Sequence, residues 1–283
     1  SEKTITVDYS ATGGTATGSG TDYTLADGTA TVTAGATTTT FSGTLVDDAL
    51  DEVDETVIID LASATISNAT LGATAQHTLT ITDNDDPPAI DFTAATGTIA
   101  EDGGTHTLTI QIATASAKTI TVDYAISASS TAKSGQDYTF SAGTATIAAG
   151  ATTTTADITV INDLVDEPDQ TLIVSLSDPA NSTVGTNSSH TLTITDNDDP
   201  PTIAFSSTAS SASEATAAVT LTVAQSDTSE YDVSVAYTVS GTATDGGADH
   251  DLSAGTSSIS AGGSSTTITF TVTDDATDED NQT

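Results

Sequence analysis

The residues of this chain best suited to chemistry are carboxylates set close together. The run TITDNDDPP occurs at Thr80 to Pro88 and again at Thr193 to Pro201. In each copy an alternating strand leads into a cluster of aspartates, Asp83, Asp85 and Asp86 or Asp196, Asp198 and Asp199, and two prolines follow. Two unit charges ~4 Å apart repel by about 4 kcal/mol at an effective dielectric of 20, so each cluster calls for a positive partner. The chain has three Lys and Arg residues against 40 Asp and Glu. A bound cation is therefore expected, and a hard all-oxygen donor set suits Ca2+ best.

The formal charge of −37 over 283 residues argues against nucleic acid or an anionic membrane surface as partner, since both are held through Lys and Arg. No cysteine is present, which removes disulfides and thiolate metal sites. No apolar run of about 18 residues occurs, so membrane insertion is not expected, and the chain shows no export signal of its own. His77, His106, His190 and His250 are scattered along the sequence, and no zinc site is expected from them. The sequence contains no Gly-x-Ser-x-Gly elbow, phosphate loop or His-based dyad, and crowded Asp loops do not hold one acid in an apolar pocket as glycoside hydrolysis requires. The chain is therefore read as a non-enzyme.

The acidic clusters are positioned by an internal repeat. Ile5-Thr-Val-Asp-Tyr9 recurs as Ile120-Thr-Val-Asp-Tyr124 and, more loosely, as Val233-Ser-Val-Ala-Tyr237. Each is followed by a Gly-rich acidic step, SGTDYTL from Ser19, SGQDYTF from Ser134 and GADHDL from Gly247. A Thr-rich strand comes next, and then a second acidic loop, VDDALDEVDET from Val46, INDLVDEPDQT from Ile161 and TDDATDEDNQT from Thr273. This repetition divides the chain into 1–86, 87–199 and 200–283.

Period-two alternation marks seven strands in the middle unit, near 90–93, 106–112, 119–126, 144–148, 153–161, 171–177 and 190–195. It places Leu108, Ile110 and Ile112 on one face, and likewise Ile120, Val122 and Tyr124, and Leu172, Val174 and Leu176. Thr occupies the opposite faces. The expected fold is all-β, a series of tandem immunoglobulin-like antiparallel β-sandwiches. Residue 1 falls near the third strand of a repeat and Thr283 follows a second acidic loop, so the chain is expected to be a window on a longer array rather than a swapped assembly.

With these motifs in place the chain resembles tandem Calx-beta domains. The resemblance is carried by the Glu after the first strand in Ile99-Ala-Glu101-Asp-Gly-Gly104, the Gly-x-Asp-Tyr step at Asp137, the loop from Asp163 to Glu167, and the closing DNDD run. Cadherins share the DNDDPP look but not the Gly-x-Asp-Tyr step. The resemblance implies that these positions gather at one end of each sandwich and bind calcium. In the middle unit it implies Glu101, Asp137, Asn162 or Asp163, Glu167, Asp196, Asp198 and Asp199 as ligands. In the first unit it implies Asp22, Asp47, Asp48, Glu52, Glu55, Asp83, Asp85 and Asp86, the early Glu being missing. In the third it implies Glu214, Asp249, Asp274, Asp275 and Glu279, without a closing DNDD. Asn162 and Gln170 are neutral where the first unit has Asp47 and Glu55, so the middle site is expected to hold fewer ions or to hold them less tightly.

The expected function is structural: an extracellular, calcium-stiffened rod in a large bacterial surface protein, such as an adhesin stalk, matrix protein or filament. Its expected partners are calcium, neighbouring repeats and other cell-surface components, with the Pro-Pro pairs restricting each junction. A regulatory calcium-sensing module and a sandwich that binds glycan or protein are the alternatives. The five Phe, six Tyr and absence of Trp leave few aromatic anchors for the last.

Overall fold

Alternation of Thr with Val, Ile and Leu gives each strand one face to bury and one to leave in water, and the chain folds as sheets throughout. The computed structural model describes residues 1–216, 218–244, 246–276 and 280–283. Among these no helix is long and apolar enough to cross a membrane.

The middle group of strands is a sandwich of two five-stranded sheets. One runs in the order Gly143–Ile147, Ile120–Ile126, Gln170–Ala180, Ser189–Thr195, Thr96–Ala100. The other runs Tyr138–Thr139, Thr153–Val160, Thr105–Ile112, Ala89–Phe92, Thr183–Val184. All seven strands expected from the periodicity are present. The added ones are Thr96–Ala100 and two short segments, Tyr138–Thr139 and Thr183–Val184. Pairing is antiparallel except at two edges, where Thr96–Ala100 lies parallel to Ser189–Thr195 and Thr183–Val184 parallel to Ala89–Phe92. The chain leaves one sheet after Phe92 and enters the other at Thr96, so its first strand is shared between the two layers.

The faces assigned from the sequence meet between the sheets. Leu108, Ile110 and Ile112 pack with Ile120, Val122, Leu172, Val174 and Leu176, and Ile90, Phe92, Ile158, Leu192 and Ile194 complete the core. Each fully buried side chain of this size stabilises the fold by about 1.5–3 kcal/mol. His106 and His190 also face one another, with ring centroids 5.4 Å apart. This corrects the scattering read from the sequence: residues far apart in the chain are brought together by sheet register. Burial first, and then His190, pushes the His106 pKa down.

The flanking groups are less covered. The first has a four-stranded sheet, Gly28–Val32, Ile5–Gly14, Glu55–Leu61 and Gln76–Ile81, and a short pair, Tyr23–Thr24 with Thr44–Leu45. The third has Ile203–Phe205, Val219–Gln225 and Ser265–Phe270 in one sheet and Val233–Tyr237 with Gly255–Ile259 in another. Leu45, Leu79 and Phe205 stay exposed in these groups, because a single inward face needs a complete second layer to cover it.

One cross-strand device recurs in all three groups. Tyr9, Tyr124 and Tyr237 stand opposite Gly28, Gly143 and Gly255. A Cβ at any of these glycines would lie 2.7 or 2.8 Å from the tyrosine hydroxyl. The glycine of each Gly-Thr-Ala-Thr or Gly-Thr-Ser-Ser strand is therefore the space its tyrosine ring fills.

Candidate metal centres

The Gly-x-Asp step is built identically three times. Gly20, Gly135 and Gly247 adopt φ of 92°, 82° and 92°, a conformation glycine takes without a Cβ penalty. The turn brings the following aspartate back onto the chain: Asp22, Asp137 and Asp249 each accept a 2.5 Å bond at Oδ2, from the N–H of Thr17, Lys133 and Thr244. Their own carbonyls accept the N–H of Val46, Ile161 and Thr273, 2.9 Å away in each case, which ties the step to the second acidic loop. The aspartate thus has a turn-forming role through one oxygen.

In the middle unit the closing run is extended, so its residues alternate in direction. Asp196 and Asp198 are half-buried, whereas Asn197 and Asp199 are exposed. Asp196 and Asp198 meet Glu101, with one oxygen from each within 4.8 Å of the others. Glu101 is 5% exposed. Its Oε1 accepts the N–H of Asp163 at 3.2 Å, while its Oε2 and Asp198 Oδ2 are buried without any hydrogen-bond partner. Burial first, then the charges of Asp163, Asp198 and Asp196, push the Glu101 carboxyl up against the opposing Asp163 N–H. Burial and then Asp196, Asp163, Asp166 and Asp199 do the same to Asp198.

A second set lies beside it. Asp137 is 4% exposed and is raised by burial first and by Glu230 and Asp163, against the Lys133 N–H and charge. Glu167 is raised from 4.5 to about 7 by burial, then by Glu230, Asp137 and Asp163, with Lys133 opposing. Its Oε2 accepts from Gln170 Nε2 at 2.9 Å. Asn162 is exposed and donates to the carbonyl of Asp163 at 3.1 Å, which turns its amide back onto its own loop.

The first unit gathers its acidic residues around one small cavity. Asp22, Glu52 and Glu55 bring carboxylate oxygens within 4.8 Å of one another. Glu52 is raised by burial and then by Asp22, Asp48, Asp83 and Asp85. Glu55 is raised by burial, then by a hydrogen bond and charge from Asp22 and the charge of Glu52. Asp47, Asp48, Asp83 and Asp85 line the same small cavity as these three, and Asn84 Nδ2 donates to Asp47 Oδ1 at 3.2 Å. Burial, then Asp83, Asp47, Asp48 and Asp51, raise Asp85. Asp86 is exposed and does not line the cavity, the outward member of the alternation like Asp199.

In the third unit Glu214, Asp249 and Asp275 line one open cavity of about 1040 Å³, while Asp274 is exposed outside it. Glu279 lies outside the described residues.

The donor set fits a hard cation. Glu101 and Asp198, each with a buried oxygen that lacks a donor, converge with Asp196, and every ligating atom offered is oxygen. The premise that only a bound cation can neutralise the acidic exits needs correcting in part. Lys118 Nζ lies 2.7 Å from Asp51 Oδ1 and 3.5 Å from Asp83 Oδ2, and Lys133 pairs with Glu230. Lys118 reaches the acidic segments of the preceding unit, whereas Lys133 reaches forward to Glu230 of the following one. Among the described residues neither forms an ion pair with Glu101, Asp196 or Asp198.

Sequence reasoning missed Asp51, Asp166, Ser116, Ser229, Lys118, Lys133 and Glu230 at these junctions. The signal was in the repeat: Ser1-Glu-Lys-Thr-Ile5, Ser116-Ala-Lys-Thr-Ile120 and Ser229-Glu-Tyr-Asp-Val233 align.

No curated protein matches the chain by sequence. Among solved structures, CBD12 from CALX1.2 is 20% identical at a TM-score of 0.38, covering 67% of this chain and 76% of that one. The apo form of the Calx CBD1 domain is 22% identical at a TM-score of 0.37, over 39% of this chain and 97% of that one. A two-domain protein of unknown function from Bacteroides fragilis is 10% identical at a TM-score of 0.31, over 65% and 88%. The family model for the Calx-beta domain matches residues 1–85, 83–198 and 196–283. The chain therefore belongs to the Calx-beta domain family, as three tandem copies.

Proposed function

We propose that this chain is a calcium-stabilised structural segment of a large extracellular bacterial protein, a stalk, matrix or filament built from repeated Calx-beta domains. The observation that carries the reading is the pair of converging carboxylates, Glu101 and Asp198, each with a buried oxygen, Oε2 and Oδ2, that lacks a hydrogen-bond donor. A buried charge in that state is costly unless it is paired. Glu101, Asp163, Asp196 and Asp198 would hold one part of the middle site, and Asp137 and Glu167 another. Asp22, Glu52, Glu55, Asp47, Asp48, Asp83 and Asp85 would hold the first. Bound calcium supplies positive charge and oxygen coordination, which offsets the mutual repulsion of these groups.

The chain's own residues do the rest. The Gly-x-Asp turn fixes one aspartate, the second acidic loop is tied to it through backbone hydrogen bonds, and the closing run alternates two aspartates inward. All three segments end at one edge of the sandwich, where they add rigidity rather than reactive chemistry. This role is non-catalytic.

Thermal unfolding in chelator, in millimolar magnesium and in millimolar calcium tests the reading. Calcium at a hundred times its dissociation constant stabilises the fold by about 2.7 kcal/mol, and magnesium, which demands a tighter octahedral shell, is expected to do much less. A melting temperature that is the same in chelator and in calcium would overturn it.

A further inference from the structure

The junctions between units repeat a contact that uses no ligand of the acidic sites. Asp51 of the first unit forms a parallel bridge with Ser116 of the second, and Asp166 of the second forms the same bridge with Ser229 of the third. Ser116 Oγ lies 2.7 Å from Asp51 Oδ2 and 3.0 Å from the Asp51 carbonyl, which also accepts the N–H of Ala117 at 3.0 Å. At the other junction the corresponding distances from Ser229 Oγ are 2.7 and 3.2 Å, and the Glu230 N–H lies 2.9 Å from the Asp166 carbonyl. Asp51, Ser116 and Ser229 are 2%, 1% and 0% exposed, so these polar groups are withdrawn from water and satisfied by each other.

The receiving turn is built by its own unit. Ser116 Oγ accepts the Lys118 N–H at 3.0 Å and its carbonyl accepts the Gly150 N–H at 2.8 Å. Ser229 repeats this with Tyr231 and Gly262, at 3.1 and 2.8 Å. The exposed Ser1 makes the same pair of bonds with Lys3 and Gly35, at 3.0 and 2.8 Å. The turn therefore has its shape before an aspartate docks, and little order has to be created on contact.

Charge reinforces each junction from a different side. Lys118 reaches back from the second unit to Asp51 and Asp83, whereas Lys133 reaches forward from the second unit to Glu230 of the third. With Lys3 in the Ser1 turn, these are the three basic residues of the chain. In a polypeptide carrying 40 acidic side chains, Lys118 and Lys133 both form their ion pairs across a junction.

We propose that the turn beginning at Ser116, and again at Ser229, is a recognition surface for the aspartate of the preceding repeat's acidic loop, and that this clasp fixes the angle between successive repeats without metal. It goes beyond the calcium reading, because the ion is assigned to other side chains and the clasp holds in its absence.

The test is a distance distribution across the second junction, measured in chelator by pulsed electron spin resonance. The absence of native cysteine allows spin labels at Ser129→Cys and Ser258→Cys, both exposed positions. The otherwise native chain is expected to give one narrow distribution. Ser229→Val and, from the opposite side, Asp166→Ala are each expected to at least double its width while the middle unit's unfolding temperature in chelator shows that it is still folded. Glu101→Gln, which alters the metal site only, is expected to leave the width unchanged. A native distribution in chelator as broad as those of the variants would overturn the clasp, as would folded variants that stay narrow. Every arm lacks calcium, so failure here is distinct from failure of the calcium reading.

Discussion

Glu167→Gln separates the cost of the acidic site from its use. Without metal, the Glu167 carboxyl is raised from 4.5 to about 7, by burial first and then by Glu230, Asp137 and Asp163. The folded state therefore binds this proton more tightly than the unfolded one. Its favourable contribution is complete below pH 4.5, falls away as the pH rises towards 7 and is gone above it. One pH unit corresponds to about 1.4 kcal/mol, giving roughly 3 kcal/mol over this interval, or about 2 kcal/mol after screening by water in a half-buried loop. Glutamine removes the charge and keeps an oxygen to accept the Gln170 bond. In chelator at pH 8 the variant is expected to unfold roughly 8 °C above the native protein, at about 4 °C per kcal/mol for a domain of this size. At pH 4.5 the two should coincide. In saturating calcium the order should reverse, because the native site gains binding energy that the variant has lost. Calorimetry across these conditions checks each step. Equal unfolding temperatures in chelator at pH 8, or a gap that persists at pH 4.5, would refute the electrostatic reasoning.

Asp47→Asn combined with Asp48→Asn should abolish calcium binding in the first unit and leave the middle unit's binding intact, since separate ligand sets act independently; titration calorimetry losing both together would count against separate centres. His106→Val should flatten the fall in stability between pH 7 and 5. The folded His106 pKa lies below its usual 6.5, so its stabilising contribution is present above that value and is lost as the pH falls through it, and an unchanged profile in acid melts would remove the His pair as the cause. Gly143→Ala should cost the middle unit about 1–3 kcal/mol by forcing a methyl group against the Tyr124 hydroxyl, read as a lower denaturant midpoint with unchanged slope.

The strands were legible because a single rule, apolar residues every second position, governs them. Ile120 and Val122 on one strand, and Leu172 and Val174 on another, could be given a buried face without knowing their partners. The inward carboxylates were legible as a group through the repeat, but the direction of each was not. Asp86 and Asp199 differ from Asp85 and Asp198 only in pleat phase, which depends on where extended backbone begins. The His106 and His190 contact and the Asp51 and Ser116 bridge join residues 84 and 65 positions apart, and such pairings are set by sheet register and by the docking of one unit on the next. Local spacing carries no trace of them. Thr96–Ala100 escaped notice for another reason: it is parallel, edge-placed and interrupted from its predecessor by a crossing between layers.

The placement of Lys118 and Lys133 at the junctions between units has a consequence for how copies of this protein crowd together. The outward faces of the middle sandwich's strands carry Thr and exposed Asp123, Asp157 and Asp178, whereas Lys118 and Lys133 lie at the junctions. Two chains approaching flank to flank meet like charge with nothing to offset it, a repulsion that reaches about 8 Å in physiological salt. Copies of such a chain therefore repel one another as polyanions, more strongly at low salt and less as salt is added.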